Sequence, residues 1–273
     1  MLNVQQIRQF YLKGFMETFQ EWPGVWRKQF KIRMEDGSFM KLNTLRSRLN
    51  LKSLIGYCVR YPPVNLYFSV LNWMMPERVG KKRSANRAYP IGGEYVIDID
   101  SNLLWRPHSH WKTNSLCIGC LTIAYDMTLT LIEKILENYS DVQIVFSGKR
   151  GFHIHVLDFE VRDWTYYNGL NPLKSHEVAR FLYTKHLKTA CGGFDHHHFA
   201  LSSDVMRVIT VPGSLNGGNG LICKYIGGPK EFMEMDLAKL MFDVDAKKYT
   251  YSNGFQNASL FVDAHPEPSN GGR

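Results

Sequence analysis

Residues 146–156 read FSGKRGFHIHV. Gly148 and Gly151 bracket Lys149 and Arg150 between two apolar runs, and the second run alternates Phe152, Ile154 and Val156 with His153 and His155. Strict alternation is the period of a β-strand, so the two imidazoles leave on one face and the apolar side chains on the other. The glycines predict a tight turn whose backbone amides can approach an anion, with Ser147 and Arg150 able to donate to phosphate oxygens. A phosphate-type turn followed two residues later by a strand histidine is the frame to which the rest of the chain attaches.

Working outward, residues 94–102 read EYVIDIDSN. Tyr95, Val96, Ile97 and Ile99 predict a buried strand, yet Asp98 and Asp100 sit within it. Side chains two apart on a strand share a face, roughly 6.5–7 Å apart, while Ile97 and Ile99 point the other way into the core. Two carboxylates on one face repel unless a cation lies between them. Hard oxygen ligands suit Mg²⁺ or Mn²⁺, and paired ions of this kind clamp an in-line phosphoryl transfer. Taken alone, the pair also reads as a solvated edge.

Between these stretches lies HSHWKTNSLCIGC, residues 108–120, with His108, His110, Cys117 and Cys120. Cys-x-x-Cys is a two-point thiolate clamp for tetrahedral Zn²⁺, and the His pair completes a four-ligand set. A closed set makes the ion structural. A thioredoxin-type redox pair is the rival, but it leaves the histidines unexplained. Downstream, GGFDHHHFALSSDVMRVITVPGSLNGGNG supplies two more carboxylates, Asp195 and Asp204, before a strand and a Gly-rich turn. The run His196, His197, His198 reads as a solvated loop.

The whole chain has 273 residues, 33 Lys and Arg against 25 Asp and Glu, and a net charge of +8, which suits a polyanionic partner such as nucleic acid. The RVGKKRSANR stretch (78–87) reads as a solvated loop or a phosphate contact. Five cysteines, an odd number, and a start without an export signal predict a reducing compartment, cytoplasmic (nucleoid-associated) or nuclear. No apolar run approaches the roughly 20 residues of a bilayer span, so no membrane association is expected. Helices are predicted near 4–20, at NLKSLIGYCVRY, at LTIAYDMTLTLIEKILENY and at KSHEVARFLYTKHLKTACGG. Strands are predicted at VNLYFSVLNW, EYVIDID, VQIVFSG and GFHIHVLDF, with a hairpin around Asp36 and Gly37. Interleaved without a βαβ repeat, they predict an α+β mixed sheet in one catalytic domain over 1–273, with a loosely held tail from about 253.

In order and content these stretches resemble the archaeo-eukaryotic primase superfamily, and within it the small catalytic subunit of DNA primase of archaeal type. VIDID matches the family's aspartate pair. Ser147, Gly148, Lys149, Arg150, Gly151, Phe152 and His153 match Ser-Gly-x-Arg-Gly-x-His without a gap, and PGSLNG (212–217) matches the family's PGSLHG turn. The zinc knob of the family falls where His108 to Cys120 lie, so the resemblance implies such a knob over about 103–122. The resemblance covers roughly residues 40–225.

It implies a mixed-sheet catalytic core with flanking helices and an inserted zinc knob. It also implies that Asp98 and Asp100 hold two divalent ions, that Ser147, Arg150 and His153 bind a nucleoside triphosphate, and that Lys149 adds charge. The family's third aspartate falls at His198 here, which leaves Asp195 or Asp204 to serve, and Asn216 replaces a histidine. The implied activity is primer synthesis on single-stranded DNA by a nucleotidyltransferase. A large primase subunit or an additional domain would act as partner. Its rivals are a primase-polymerase that mainly extends primers and a non-catalytic, zinc-stapled nucleic-acid-binding protein.

Overall fold

The computed structural model describes residues 2–43, 49–80, 86–100, 117–164, 171–192, 203–217 and 219–249. Its frame is two sheets. The first carries β1 (Lys28–Arg33), β2 (Phe39–Lys41), β3 (Asn65–Trp73), β4 (Pro90–Gly93), β8 (Val208–Thr210), β9 (Leu215–Asn216) and β10 (Leu221–Ile222). β3 is its spine, with β1 on one edge and β4, β8 and β9 at successive heights along the other. The second runs in the order β11 (Lys224–Gly227), β6 (Val142–Phe146), β7 (Gly151–Val156), β5 (Tyr95–Asp100). The predicted mixed sheet is corrected here: every strand pairing among the described residues is antiparallel. The signals that set the strands, alternation and turn residues, do not encode which edges meet.

Helices cover one face of each sheet. Residues 4–18 form α1 (Val4–Gln9) and α2 (Phe15–Thr18) around a π turn, and with α3 (Leu51–Arg60) they pack Phe10, Phe15 and Leu54 against Phe30, Ile32, Leu66 and Phe68. Over the second sheet lie α4 (Ile118–Leu136), α5 (Pro172–Ala190), α6 (Pro229–Met233) and α7 (Leu237–Asp243). Leu121, Ile132 and Ile135 of α4 and Tyr183 and Leu187 of α5 meet Ile97, Ile99, Phe152, Ile154 and Val156 there. No helix among the described residues is long and apolar enough to cross a membrane.

This packing fixes the register of β5. Ile97 and Ile99 are buried against the helices, each burial contributing roughly 2 kcal/mol. A slip of one residue would exchange them for Asp98 and Asp100 and put two carboxylates in that core. The aspartates are therefore held on the opposite face, toward the first sheet.

One buried polar knot ties the layers together. Glu94, between β4 and β5, accepts from Lys28 Nζ at 2.7 Å, Trp22 Nε1 at 2.7 Å and His155 Nδ1 at 3.0 Å. Its backbone carbonyl accepts from Arg180 Nη2 of α5 at 2.5 Å. Burial drives the Glu94 carboxyl up, but Lys28 and His155 outweigh it and bring it down to about 2. Burial pulls the Lys28 ammonium below its ordinary range, and Glu94 offsets only part of that. We take Glu94 as the anion, because three side-chain donors converge on it.

Candidate active site

The two sheets leave between them a cleft of about 340 Å³. Asp98, Asp100 and His153 enter it from the second sheet, and Ser147 and Lys149 from the turn joining β6 and β7. Across the gap stand Arg33, Asn65, Tyr67, Thr210 and Asn216 of the first sheet. Val64 and Asn219 complete the lining.

The 147–151 turn is shaped as its glycines predict. Ser147 N donates to Gly151 O at 2.9 Å, and Gly148 takes φ +75°, a conformation that costs other residues about 1–2 kcal/mol. Asn219 Nδ2 holds the Gly148 carbonyl at 3.0 Å, and Lys149 N donates to Ser147 Oγ at 3.3 Å. Gly151 pairs with Asp100 across the β5–β7 ladder, where a Cβ would lie 1.7 Å from Ile99 O. No other residue permits that approach, which brings the turn beside the aspartates.

Asp98 lies directly across the ladder from His153. His153 Nε2 is 3.6 Å from Asp98 Oδ1, and Arg207 Nη2 donates to Asp98 Oδ2 at 2.7 Å. His153 and His155 do share a face, as the alternation predicts, but they diverge in role. His153 lines the cleft, whereas His155 is wholly buried against Glu94 and Trp22.

The remaining expected residues are distributed as follows. Arg150 is buried and is not among the residues lining the cleft. Asp204 is exposed and also off the cleft lining. Its Oδ1 accepts from Met206 N at 2.9 Å and its carbonyl from Arg207 N at 3.2 Å, so it shapes the turn that delivers Arg207. Asn216 borders the cleft at β9. Asp195, His108, His110, the 196–198 histidines, the basic residues 81–83 and the tail lie outside the described residues. Cys117 occupies the N-cap position of α4 and Cys120 lies in its first turn.

Among the described residues no group of three His, Cys, Asp or Glu side chains gathers as a metal cage. The pair Asp98 and Asp100 nevertheless suits Mg²⁺ or Mn²⁺, because such ions are commonly held by one or two carboxylates together with substrate phosphates.

Sequence reading missed Arg33, Asn65, Tyr67 and Arg207. Arg207 could have been suspected as a lone cation entering an apolar strand. Arg33 and Lys31 alternate within β1, a hint that they share a face.

No protein-family model matches the chain. It is 28% identical to the DNA primase small subunit PriS of Pyrobaculum calidifontis, over 63% of this chain and 63% of that protein. The chain thus spans less than two thirds of that relative's length. It is 22% identical to the PriS of Pyrobaculum islandicum over 93% of this chain and 90% of the relative. In fold it resembles the polymerase domain of Mycobacterium tuberculosis Ligase D, solved in complex with DNA. The TM-score is 0.51 at 8% identity, covering 90% of this chain and 85% of that one. The chain therefore resembles archaeal primase small subunits along much of its length and shares an α+β polymerase-domain fold.

Proposed function

We propose that the protein is a DNA-templated nucleotidyltransferase that makes short primers on single-stranded DNA from nucleoside triphosphates. The observation carrying this reading is the shared cleft in which Asp98 and Asp100 stand beside the Ser147–Gly151 turn. Paired carboxylates meet a polyanion-binding turn there, and a phosphoryl transfer needs both. The likeness to PriS proteins supports the same reading.

Asp98 and Asp100 would hold Mg²⁺ or Mn²⁺, which when bound neutralises phosphate charge and favours the attacking 3′-oxygen. Ser147 and the turn amides receive the triphosphate, Lys149 neutralises it, and His153 reaches the same phosphates while bordering Asp98. Arg150 would support the turn from beneath. The protein's contribution is chiefly positioning and fixed charge at the reacting phosphate. A new bond forms between the 3′-oxygen and the α-phosphorus, and pyrophosphate leaves with the electron pair of the broken bond. The third carboxylate would be Asp195 or Asp204, the latter only if it turns in from the exposed position it holds beside Met206 and Arg207. Cys117 and Cys120, joined by His108 and His110, would bind structural Zn²⁺. The chain would act as one catalytic domain, with a large primase subunit or an additional domain as its partner for initiation, in the cytoplasm (nucleoid-associated) or nucleus.

The test is incubation of unprimed single-stranded template with labelled nucleotides and Mg²⁺ or Mn²⁺. Labelled products of a few nucleotides are expected. Product only when a primer is supplied identifies a primer-extending polymerase instead, and shortening of the template without nucleotides identifies a phosphodiesterase.

A further inference from the structure

The first sheet carries two cross-strand rows that begin in the cleft and run out of it. Thr210 pairs with Tyr67, Tyr67 with Lys31, and Lys31 with Lys41. Asn216 pairs with Asn65, Asn65 with Arg33, and Arg33 with Phe39. Residues directly opposite on antiparallel strands share a face, so both rows lie on the face that lines the cleft.

The content of these rows is unusual for a solvated face. Lys31 and Lys41 stand opposite each other, an arrangement of like charges that destabilises a sheet. Lys41 donates to the carbonyls of Glu77 and Val79. Lys31 is half-buried and held below the ordinary lysine range by burial, with no carboxylate among the described residues offsetting it. Arg33 is exposed and hydrogen-bonds the Tyr67 hydroxyl. Above these cations Phe39 and Tyr67 approach with ring centroids 6.1 Å apart, and Phe39 is 59% exposed. A large aromatic left in water beside a row of cations suits a ligand with both phosphates and π-faces.

We infer that this face of β2, β1 and β3 is the bed of a single-stranded nucleic acid, its phosphates over Lys31 and Arg33 and its bases on Phe39 and Tyr67. The inference rests on the polymerase reading for why a strand should lead to Asp98. A nucleotide seated on the aspartates and the 147–151 turn occupies the inner end of the rows. Phe39 lies two strand spacings beyond Asn65, about 10 Å further out, where a continuing strand reaches and a mononucleotide does not. The net charge of +8 favours the same occupant.

The experiment is fluorescence anisotropy of a labelled oligothymidylate with the full chain, without nucleotide or metal, across a salt series. Phe39→Ala is expected to weaken binding at least fivefold, on the scale of one lost base stack. Lys31→Ala with Arg33→Ala is expected to weaken it further and to reduce the log–log salt slope by about 1.4, roughly 0.7 per contact. Unchanged affinity and slope in both variants overturn the inference. So does loss of nucleoside triphosphate binding in Phe39→Ala with strand affinity intact, since the platform then serves the incoming base. If the wild type binds the oligonucleotide through these residues but incorporates no nucleotide, the polymerase reading fails and the strand bed stands. If it incorporates nucleotide while the variants bind as wild type, the strand bed fails alone.

Discussion

Arg207 Nη2 donates to Asp98 Oδ2 at 2.7 Å across 109 residues of sequence, from the residue before β8 to the middle of β5. The guanidinium supplies at Asp98 the positive charge that a carboxylate pair on one strand face demands. It also bridges the two sheets at the cleft. A divalent cation arriving at Asp98 competes with that contact.

Removing the guanidinium takes from Asp98 its 2.7 Å cationic partner beside Asp100. Arg207→Gln is expected to lower stability by about 1–2 kcal/mol, a part-buried pair being worth less than a fully buried one. Mn²⁺ or Mg²⁺ should then raise the melting temperature of the variant more than that of the wild type. An equal rise in both would show that Arg207 and the metal do not compete.

The aspartates are expected to carry the chemistry and not the fold. Asp100→Asn should cut nucleotide incorporation by about 10²–10³-fold, comparable to losing one electrostatic stabiliser of a transition state, while leaving the melting temperature within a few degrees. Asp98→Asn should do the same to incorporation. Incorporation at the wild-type rate in either variant would exclude the metal site proposed here.

Glycine is required at 151 and 148 for different reasons. Gly151→Ala places a Cβ 1.7 Å from Ile99 O, so β5 and β7 must part, and a loss of about 3–5 kcal/mol is expected. Gly148→Ala is opposed mainly by its φ of +75° and should cost about 1–2 kcal/mol. Denaturant melts of the two variants rank them, and a milder effect at 151 than at 148 would contradict the close approach.

The Glu94 knot is expected to be the most sensitive buried feature. Lys28→Met removes the ammonium partner of the buried carboxylate, leaving only Trp22 and His155 on it, and should cost about 3–5 kcal/mol, while Lys28→Met with Glu94→Leu should recover part of the loss. Chemical denaturation of the two variants reads this difference directly.

Acid should weaken the protein in two stages. Burial and the neighbouring Arg180 bring His176 down to about 4 from an ordinary 6.5. The unfolded chain then binds a proton that the folded one refuses, so stability falls as pH drops from 6.5 toward 4, by up to roughly 3 kcal/mol. Glu94, lowered to about 2 from 4.5, stabilises fully above 4.5 and ceases to do so as pH falls toward 2. His176→Gln should flatten the first stage and leave the second, as judged by melting temperature against pH.

Much of the fold was legible because it rests on local periodicity. Alternation in 94–100 and 151–156, the two glycines at 148 and 151, and the helical spacing before each glycine stop fixed most elements. They also fixed the faces: Ile97 and Ile99 go inward, so Asp98 and Asp100 must go outward, whatever they meet. The pairing of Asp98 with His153 follows once β5 and β7 are neighbours, but nothing local says that they are.

The tertiary structure alone decided what faces the aspartates. Arg207, Arg33, Asn65 and Tyr67 come from strands distant in sequence, and only the packing of one sheet across the other brings them to one cleft. It also separated His153 from His155, identical in pattern but divided by Glu94, whose buried charge claims one imidazole and leaves the other to the cleft. Sequence by itself determined which side chains this protein turns away from its core. Only the folded chain decided which of them meet, because that depends on how sheet edges and faces join, and side-chain alternation carries no record of it.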